Sequence, residues 1–382
     1  MSGRLVIVTE IISPYRIPLF NCFAQRPGID LHVIFLAETD PALRKWDVYK
    51  DEIEFSYEVL PSWRMRIWGR HLLLNRGVAR SLQAARPEVI LCGGYNYPAS
   101  WQAQSWARLH GIPFVLWSES NAKDSRGSHR VVERLKRRFL RSCSGFVVPG
   151  RAACEYLALS GIDSARIFTA ANAVDNSFFM QAAQRARANS EEHRRALDLP
   201  RRYFLFVGRL VREKGIFELL TAYATLDEAL RREVGLVFAG DGPCRDELRR
   251  QAGLVSAGVV RFVGFAQRDQ LAAYYALAEM LILPTHTDTW GLVVNEAMAC
   301  GLPVIVTDVA GCVPDLLTEN WNGKIVPSKQ VPRLASAMRA LAESQDLESM
   351  GKNSLARIHE YSPQHWADGI ANMMRSKGAS LG

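Results

Sequence analysis

The sequence predicts an α/β protein built of two doubly wound domains. Three observations carry this: a length of 382 residues, two series of short apolar runs alternating with helical stretches, and a polar stretch dividing them. A chain of this length exceeds the roughly 150 residues of an average domain. In the first half the apolar runs are Leu5–Thr9, Leu31–Leu36, Val89–Cys92, Phe114–Trp117 and Phe146–Val148. In the second they are Tyr203–Val207, Gly235–Ala239, Val260–Val263, Leu281–Leu283, Val304–Thr307 and Lys324–Val326. Each is almost continuous in apolar residues, as a strand covered by helices on both faces must be, so parallel sheets are expected. Ligands of such sheets sit at the carboxyl ends of the strands.

Gln181 to Pro200 is polar, charged and without strand signal, and reads as a linker with some helix of its own. The expected division is a first domain over 1–180, a linker over 181–200 and a second domain over 201–362. The last helical stretch, residues 363–376, carries Trp366 and a Met-Met pair, and the first domain is the expected surface for it to pack on.

With 48% apolar and 23% charged residues the chain is an ordinary globular protein and not a disordered one. Its seven cysteines are odd in number, scattered and without CxxC spacing, which fits reduced core residues and gives no metal site. Leu5 to Ile12 is short and contains Glu10, so it reads as a first strand and not as a signal peptide. No run approaches the ~18 apolar residues of a spanning helix, so a cytoplasmic location is expected. The net charge of +8 is uneven: residues 1–200 hold 27 Lys and Arg against 19 Asp and Glu, and residues 201–382 hold 20 of each. The densest cluster, Arg134 to Arg141, falls on a helical stretch. It reads either as a solvated face or as a contact with an anionic membrane surface, with nucleic acid the weakest fit.

Two segments carry chemistry. In the run from Val207 to Gly215 an apolar strand ends on Gly208, and the cations Arg209 and Lys214 follow five residues apart. A glycine turn with a guanidinium fork and a point charge suits phosphate oxygens, although ordinary surface charge gives the same pattern. The segment lacks both the P-loop and the G-x-G-x-x-G spacing. The second segment, Thr285 to Pro303, is a polar loop opening into an apolar helix at Gly291. The free amides and dipole of such a helix start attract a diphosphate without a metal. Glu296, a turn later among Val294, Ala297 and Met298, needs a partner there, and a ribose diol would supply one.

Taken in order, these segments resemble the retaining glycosyltransferases of family 4, which have the GT-B fold. The family's G-R-L-x-x-x-K-G run stands as Gly208 to Gly215, its G-D-G-P turn as Gly240 to Pro243, and its V-x-F-x-G strand as Val260 to Gly264. Its E-x7-E segment stands as Asp288 to Glu296, and its P-N-G-V-D as Ala171-Asn172-Ala173-Val174-Asp175. The matches cover most of residues 200–320, while over residues 1–170 the likeness is mainly architectural. The resemblance implies two Rossmann-like domains facing each other across a cleft and hexose transfer from a nucleoside diphosphate sugar, with UDP favoured over GDP and no metal cofactor. It implies that Arg209 and Lys214 hold the donor diphosphate, Glu296 the ribose, the backbone of Trp290, Gly291 and Leu292 the diphosphate and sugar, and Asp288 the hexose. The nucleotide base would be read near Val263, Gly264 and Phe265, with Gly240 and Gly242 shaping the loop beside it.

The sequence departs from the family pattern in three places. Asp288 replaces the first glutamate of the motif and is one methylene shorter. The histidine that relatives often carry after a central strand of the first domain is absent from Leu116-Trp117-Ser118-Glu119-Ser120, where Glu119 stands as a candidate acceptor-side group or base. Ser13-Pro14-Tyr15-Arg16 occupies the position of a glycine pair, so Tyr15 and Arg16 are candidates there, as are Gly94, Tyr95 and Asn96 after the third apolar run. His286 beside Asp288 reads either as a sugar contact or as loop packing. The expected acceptor is a hydroxyl of a glycan, a lipid-linked glycan or a small molecule. The alternatives to a transferase are a GT-B-like epimerase and a non-enzymatic nucleotide-sugar-binding protein.

Overall fold

The computed structural model describes residues 3–40, 46–67, 70–122 and 130–379, except for the side chains of residues 66, 67, 70, 71 and 130–132. The chain divides into two compact units, one of residues 1–174 with 363–382 and one of residues 175–362.

In the first unit the elements run β1 (Gly3–Thr9), α1 (Ile17–Ala24), β2 (Ile29–Phe35), β3 (Ser56–Val59), β4 (Ser62–Ile67), β5 (Arg70–Asn75), α2 (Val78–Ala85) and β6 (Val89–Cys92). There follow α3 (Pro98–Leu109), β7 (Phe114–Trp117), α4 (Arg130–Ser142), β8 (Gly145–Val148), α5 (Arg151–Leu159) and β9 (Ile167–Thr169). Seven parallel strands take the order β3-β2-β1-β6-β7-β8-β9, and β4 and β5 form a separate antiparallel hairpin. Alternate residues of β1 enter different cores. Val6 and Val8 join the helices α2 to α5 on one face, while Leu5 and Ile7 join α1 on the other.

The second unit comprises α6 (Asn176–Ala188), α7 (Ser190–Ala196), β10 (Arg202–Val207), α8 (Ile216–Ala224), α9 (Glu228–Glu233), β11 (Val234–Ala239), α10 (Arg245–Ala252) and β12 (Val260–Gly264). It continues with α11 (Arg268–Leu277), β13 (Met280–Leu283), α12 (Leu292–Ala299), β14 (Val304–Thr307), α13 (Val313–Leu316), β15 (Gly323–Val326), α14 (Val331–Ala342) and α15 (Leu347–Ile358). Its six strands are parallel in the order β12-β11-β10-β13-β14-β15. The last helix, α16 (Pro363–Ser376), returns to the first unit, where Trp366 is fully buried against Phe20, Phe23 and Trp117.

The expected linker is corrected by this arrangement. Residues 176–196 form α6 and α7 of the second unit, and the first unit ends at 174, not 180. Phe179, Ala183 and Ala186 recur at helical spacing and are buried, with Phe179 on Tyr275 of α11. Arg187 ties α6 down by donating to the carbonyls of Ala276 and Cys300. Among the described residues no helix is long and apolar enough to cross a membrane.

Both sheets change winding direction once, between β1 and β6 and between β10 and β13. Doubly wound sheets bind ligands at such switch points, beyond the carboxyl ends of the strands.

Candidate functional site

In the second unit the residues singled out from sequence gather at the switch point. β10 is followed by Gly208, which has φ 151°, and β11 by Gly240, with φ 150°. A Cβ on Gly240 would lie 1.8 Å from the Gly208 carbonyl oxygen, and one on Gly242 would lie 2.5 Å from that of Leu210. Only glycine lets these two loops lie so close. The contact is sealed by the Leu210 amide donating to the Asp241 carbonyl and the Cys244 amide donating to that of Leu210. Gly264, at the end of β12, accepts from the Gly240 amide at 2.7 Å, which draws Val263, Gly264 and the half-exposed Phe265 to the same end of the sheet.

The β13 loop is fixed to the β10 loop in the same way. Gly215 has φ 67°, and a Cβ there would lie 1.9 Å from the Pro284 carbonyl oxygen. Both the Thr285 hydroxyl and the His286 amide donate to the Glu213 carbonyl, at 3.0 and 2.8 Å. The buried Thr285 carbonyl accepts from the hydroxyls of Thr307 and Ser328. Lys214 and Asp288 meet inside this frame, with Nζ 2.5 Å from Oδ2. The other carboxylate oxygen of Asp288 accepts from the Trp290 amide at 3.3 Å. Arg209, which follows Gly208 at the end of β10, is exposed.

Gly291, with φ 99°, opens α12, whose first amides, those of Leu292 and Val293, have no carbonyl a turn behind them. The Trp290 side chain is buried and donates to Asn295 at 2.8 Å, so it braces the helix start. Glu296 lies one turn further on and accepts from the Tyr275 hydroxyl at 2.6 Å. Burial pushes its carboxyl up to about 7, and the Tyr275 hydrogen bond pulls the other way. Burial together with the Glu296 charge raises the Tyr275 phenol well above its ordinary value. His286 Nε2 lies 3.1 Å from a Glu218 oxygen, but at an angle that makes no hydrogen bond. Sequence reasoning missed Tyr275 and Glu218. Tyr275 was marked only by its place in an apolar helix, and Glu218 by standing four residues after Lys214.

The first unit holds a second cluster. Arg16 donates to the Thr9 hydroxyl at 2.9 Å and to Glu119 at 3.4 Å, and its guanidinium lies 4.3 Å from the centre of the Trp117 ring. Asn172, nearly buried, donates to the same Glu119 oxygen at 3.3 Å. Glu119 is thus held after β7 by residues following β1 and β9. The sequence reading did not give Thr9, Trp117 or Asn172 this part, although Asn172 stands in a motif it quotes. Tyr15 packs edge-on to Trp46 and beside Arg16.

The loop after β6 differs from expectation. Tyr95 packs on the buried Phe139, and its carbonyl accepts from Trp101, so its ring is drawn toward the core beneath α4. Asn96 is exposed. Gly94 has φ 105°, and a Cβ added to it would meet nothing within 4 Å, whereas a Cβ on Gly93 would lie 3.0 Å from the Thr9 hydroxyl. Gly93 is therefore the glycine required for close approach, and Gly94 the one required for the turn.

The family described as "Glycosyl transferases group 1" matches residues 189–375, and the one described as "Glycosyltransferase Family 4" matches residues 21–178. An α-D-kanosaminyltransferase of Streptomyces kanamyceticus is 27% identical over 71% of this chain and 72% of its own. A putative teichuronic acid biosynthesis glycosyltransferase of Bacillus subtilis is 35% identical over 45% of each chain, and a D-inositol 3-phosphate glycosyltransferase of Corynebacterium urealyticum is 32% identical over 54% of this chain and 49% of its own. The chain thus spans about half the length of the latter two. Among solved structures, HepE of Anabaena in complex with UDP-glucose superposes with a TM-score of 0.75 at 18% identity, over 98% of this chain and 99% of its own.

Proposed function

The chain belongs to glycosyltransferase family 4 and has the GT-B pair of Rossmann-like units, and from that premise we propose a retaining, metal-independent transfer of a hexose-type sugar. The donor in this reading is a nucleoside diphosphate sugar, UDP-linked in preference to GDP-linked. The acceptor is a hydroxyl of a glycan, a lipid-linked glycan or a small molecule, in the synthesis of cell-surface polysaccharide or glycoconjugates. A protein working on such precursors fits a cytoplasmic place in peripheral contact with the inner face of the membrane.

The observation that carries the reading is the convergence of Arg209, the Lys214–Asp288 pair, the start of α12 and Glu296 on one end of one sheet. Arg209, Lys214 and the first amides of α12 would surround the diphosphate, where cations and oriented amides stabilise the charge that develops on it as it leaves. Glu296 would accept from the ribose hydroxyls. Asp288, held by Lys214, would meet the sugar. The bond from the anomeric carbon to the diphosphate oxygen breaks and the bond to the acceptor oxygen forms on the same face. The acceptor proton passes to the departing diphosphate. The HepE structures solved with UDP and UDP-glucose support a UDP donor. Glu119 is the acceptor-side candidate, because Arg16 and Asn172 both bind one of its oxygens, and the other would be the one to meet an acceptor hydroxyl.

The test is incubation with a panel of nucleotide sugars in the presence of a chelator. Release of UDP and free sugar, and an acceptor product whose anomeric configuration matches the donor, is the expected result. A new sugar nucleotide indicates an epimerase, and tight donor binding without turnover on any acceptor indicates a binding protein. Loss of turnover on chelation overturns the metal-free mechanism.

A further inference from the structure

The end of the first unit where its strands begin takes no part in the Glu119 cluster, which lies where the strands finish. Helices α3, α4 and α5 connect the successive strands β6, β7, β8 and β9, and their buried residues Ala103, Phe139 and Leu157 share one core. All three run opposite to the strands and so end together at the strand-start edge, with α4 in the middle.

Their last turns expose an unusual pairing of side chains. α3 closes on Leu109 and α5 on Leu159, which are 83% and 82% exposed, and each is followed two residues later by a glycine with positive φ. Between them α4 presents Arg137, Arg138 and Arg141, all exposed. A recess of about 620 Å³ opens between α4 and α5, lined by Lys136, Arg137 and Arg141 together with Tyr156 and Leu159, and among the described residues Glu133 is the one acid in that lining. Lys136 is fixed in the recess by the Tyr156 hydroxyl and lies 4.9 Å from the centre of that ring. Two further cations stand at the start of β8, where Lys377 and Arg166 donate to the carbonyls of Ser144 and Cys143.

We propose that this edge docks on an anionic lipid bilayer, with the recess taking a lipid phosphate and Leu109 and Leu159 entering the boundary between headgroups and acyl chains. The inference rests on the peripheral-membrane part of the function proposed above and gives that contact a surface. Charge complementarity supplies the attraction, since clustered cations bind the negative potential of anionic lipid. The leucines select a bilayer over a soluble polyanion, because a polyanion is neutralised by cations alone and has no use for an apolar side chain beside them. A second copy of the chain would bring the same positive edge and be repelled.

The experiment is co-sedimentation of the full chain with vesicles of phosphatidylglycerol and phosphatidylcholine and with vesicles of phosphatidylcholine alone. Binding to the first and not the second is expected. Arg137→Ala with Arg141→Ala should weaken it by about fivefold per cation removed. Leu109→Ser with Leu159→Ser should weaken it by about tenfold or more without changing net charge. Both pairs are surface changes outside the donor site, so metal-free release of UDP from the donor should persist in each, and its loss in the unaltered protein would count against the transferase reading and not against this one. Binding that is lost with the arginines yet indifferent to the leucines, heparin binding with the same indifference, or no binding to either vesicle overturns the proposal.

Discussion

Glu296 is the side chain on which the proposed ribose contact rests. Its carboxylate accepts from the Tyr275 hydroxyl, and burial holds its carboxyl up to about 7. Because the folded value lies above the unfolded one, the fold favours the protonated form. That stabilisation is complete below the unfolded value of 4.5 and is lost as pH rises through about 7. Replacing Glu296 by Gln should therefore leave thermal stability unchanged below pH 4.5 and raise it above pH 7, by on the order of 3 kcal/mol. The same change should weaken UDP binding by roughly 2 kcal/mol, about thirtyfold, if the carboxylate accepts the ribose hydroxyls. Thermal unfolding across this pH range checks the first half and titration calorimetry with UDP the second, where unchanged affinity refutes the ribose assignment. The Lys214–Asp288 pair asks a different question, because the lysine that would face the diphosphate also fixes the residue that would face the sugar. Lys214→Ala should lower kcat by about a hundredfold, as the loss of one charge-stabilising donor does elsewhere, with a smaller change in KM.

The loops that carry these residues depend on glycines whose hydrogens face carbonyl oxygens. A methyl on Gly240 would sit 1.8 Å from the Gly208 oxygen, and one on Gly94 would meet nothing within 4 Å. Gly240→Ala should thus cost about 3 kcal/mol or more and weaken UDP binding, because the β10 and β11 loops must separate. Gly94→Ala should cost about 1 kcal/mol, the strain of a side chain at positive φ alone. Chemical denaturation of the two variants measures the difference. At this scale the sequence was informative where burial was two-sided. The β10, β11 and β13 strands were legible because Phe204, Leu236 and Ile282 and their neighbours face helices on both sides and leave no polar alternation. β3 and β9 were not, since edge strands of four and three residues such as Ser56–Val59 and Ile167–Thr169 are only partly covered and carry no apolar run. α6 hid within a charged stretch because its buried side, Phe179, Ala183 and Ala186, is built mostly of alanine. The residues proposed for the donor were readable from ordered motifs, whereas Arg16 and Asn172, the partners of Glu119, follow two separate strands that only the sheet order brings near β7.

In the whole molecule the two units hold different parts of the proposed machinery and different parts of the chain. The first unit is discontinuous: α16 leaves the second unit and completes a core in which Trp366 is fully buried on Phe20, Phe23 and Trp117. Every residue assigned to the donor, from Gly208 to Glu296, lies in the second unit. A ligand stabilises what it binds, so UDP at a hundredfold excess over its Kd should stabilise the second unit by about 2.7 kcal/mol. Trp366→Ala, which removes a large side chain from the other core, should cost the first unit about 3–5 kcal/mol. Scanning calorimetry of the full chain then gives a clear expectation. UDP should raise the melting of one transition in the unaltered protein, Trp366→Ala should lower a different one, and the UDP-dependent rise should survive in the variant. If UDP instead raises a single transition that Trp366→Ala lowers as a whole, the units unfold together, and the separate melting of the two cores is refuted.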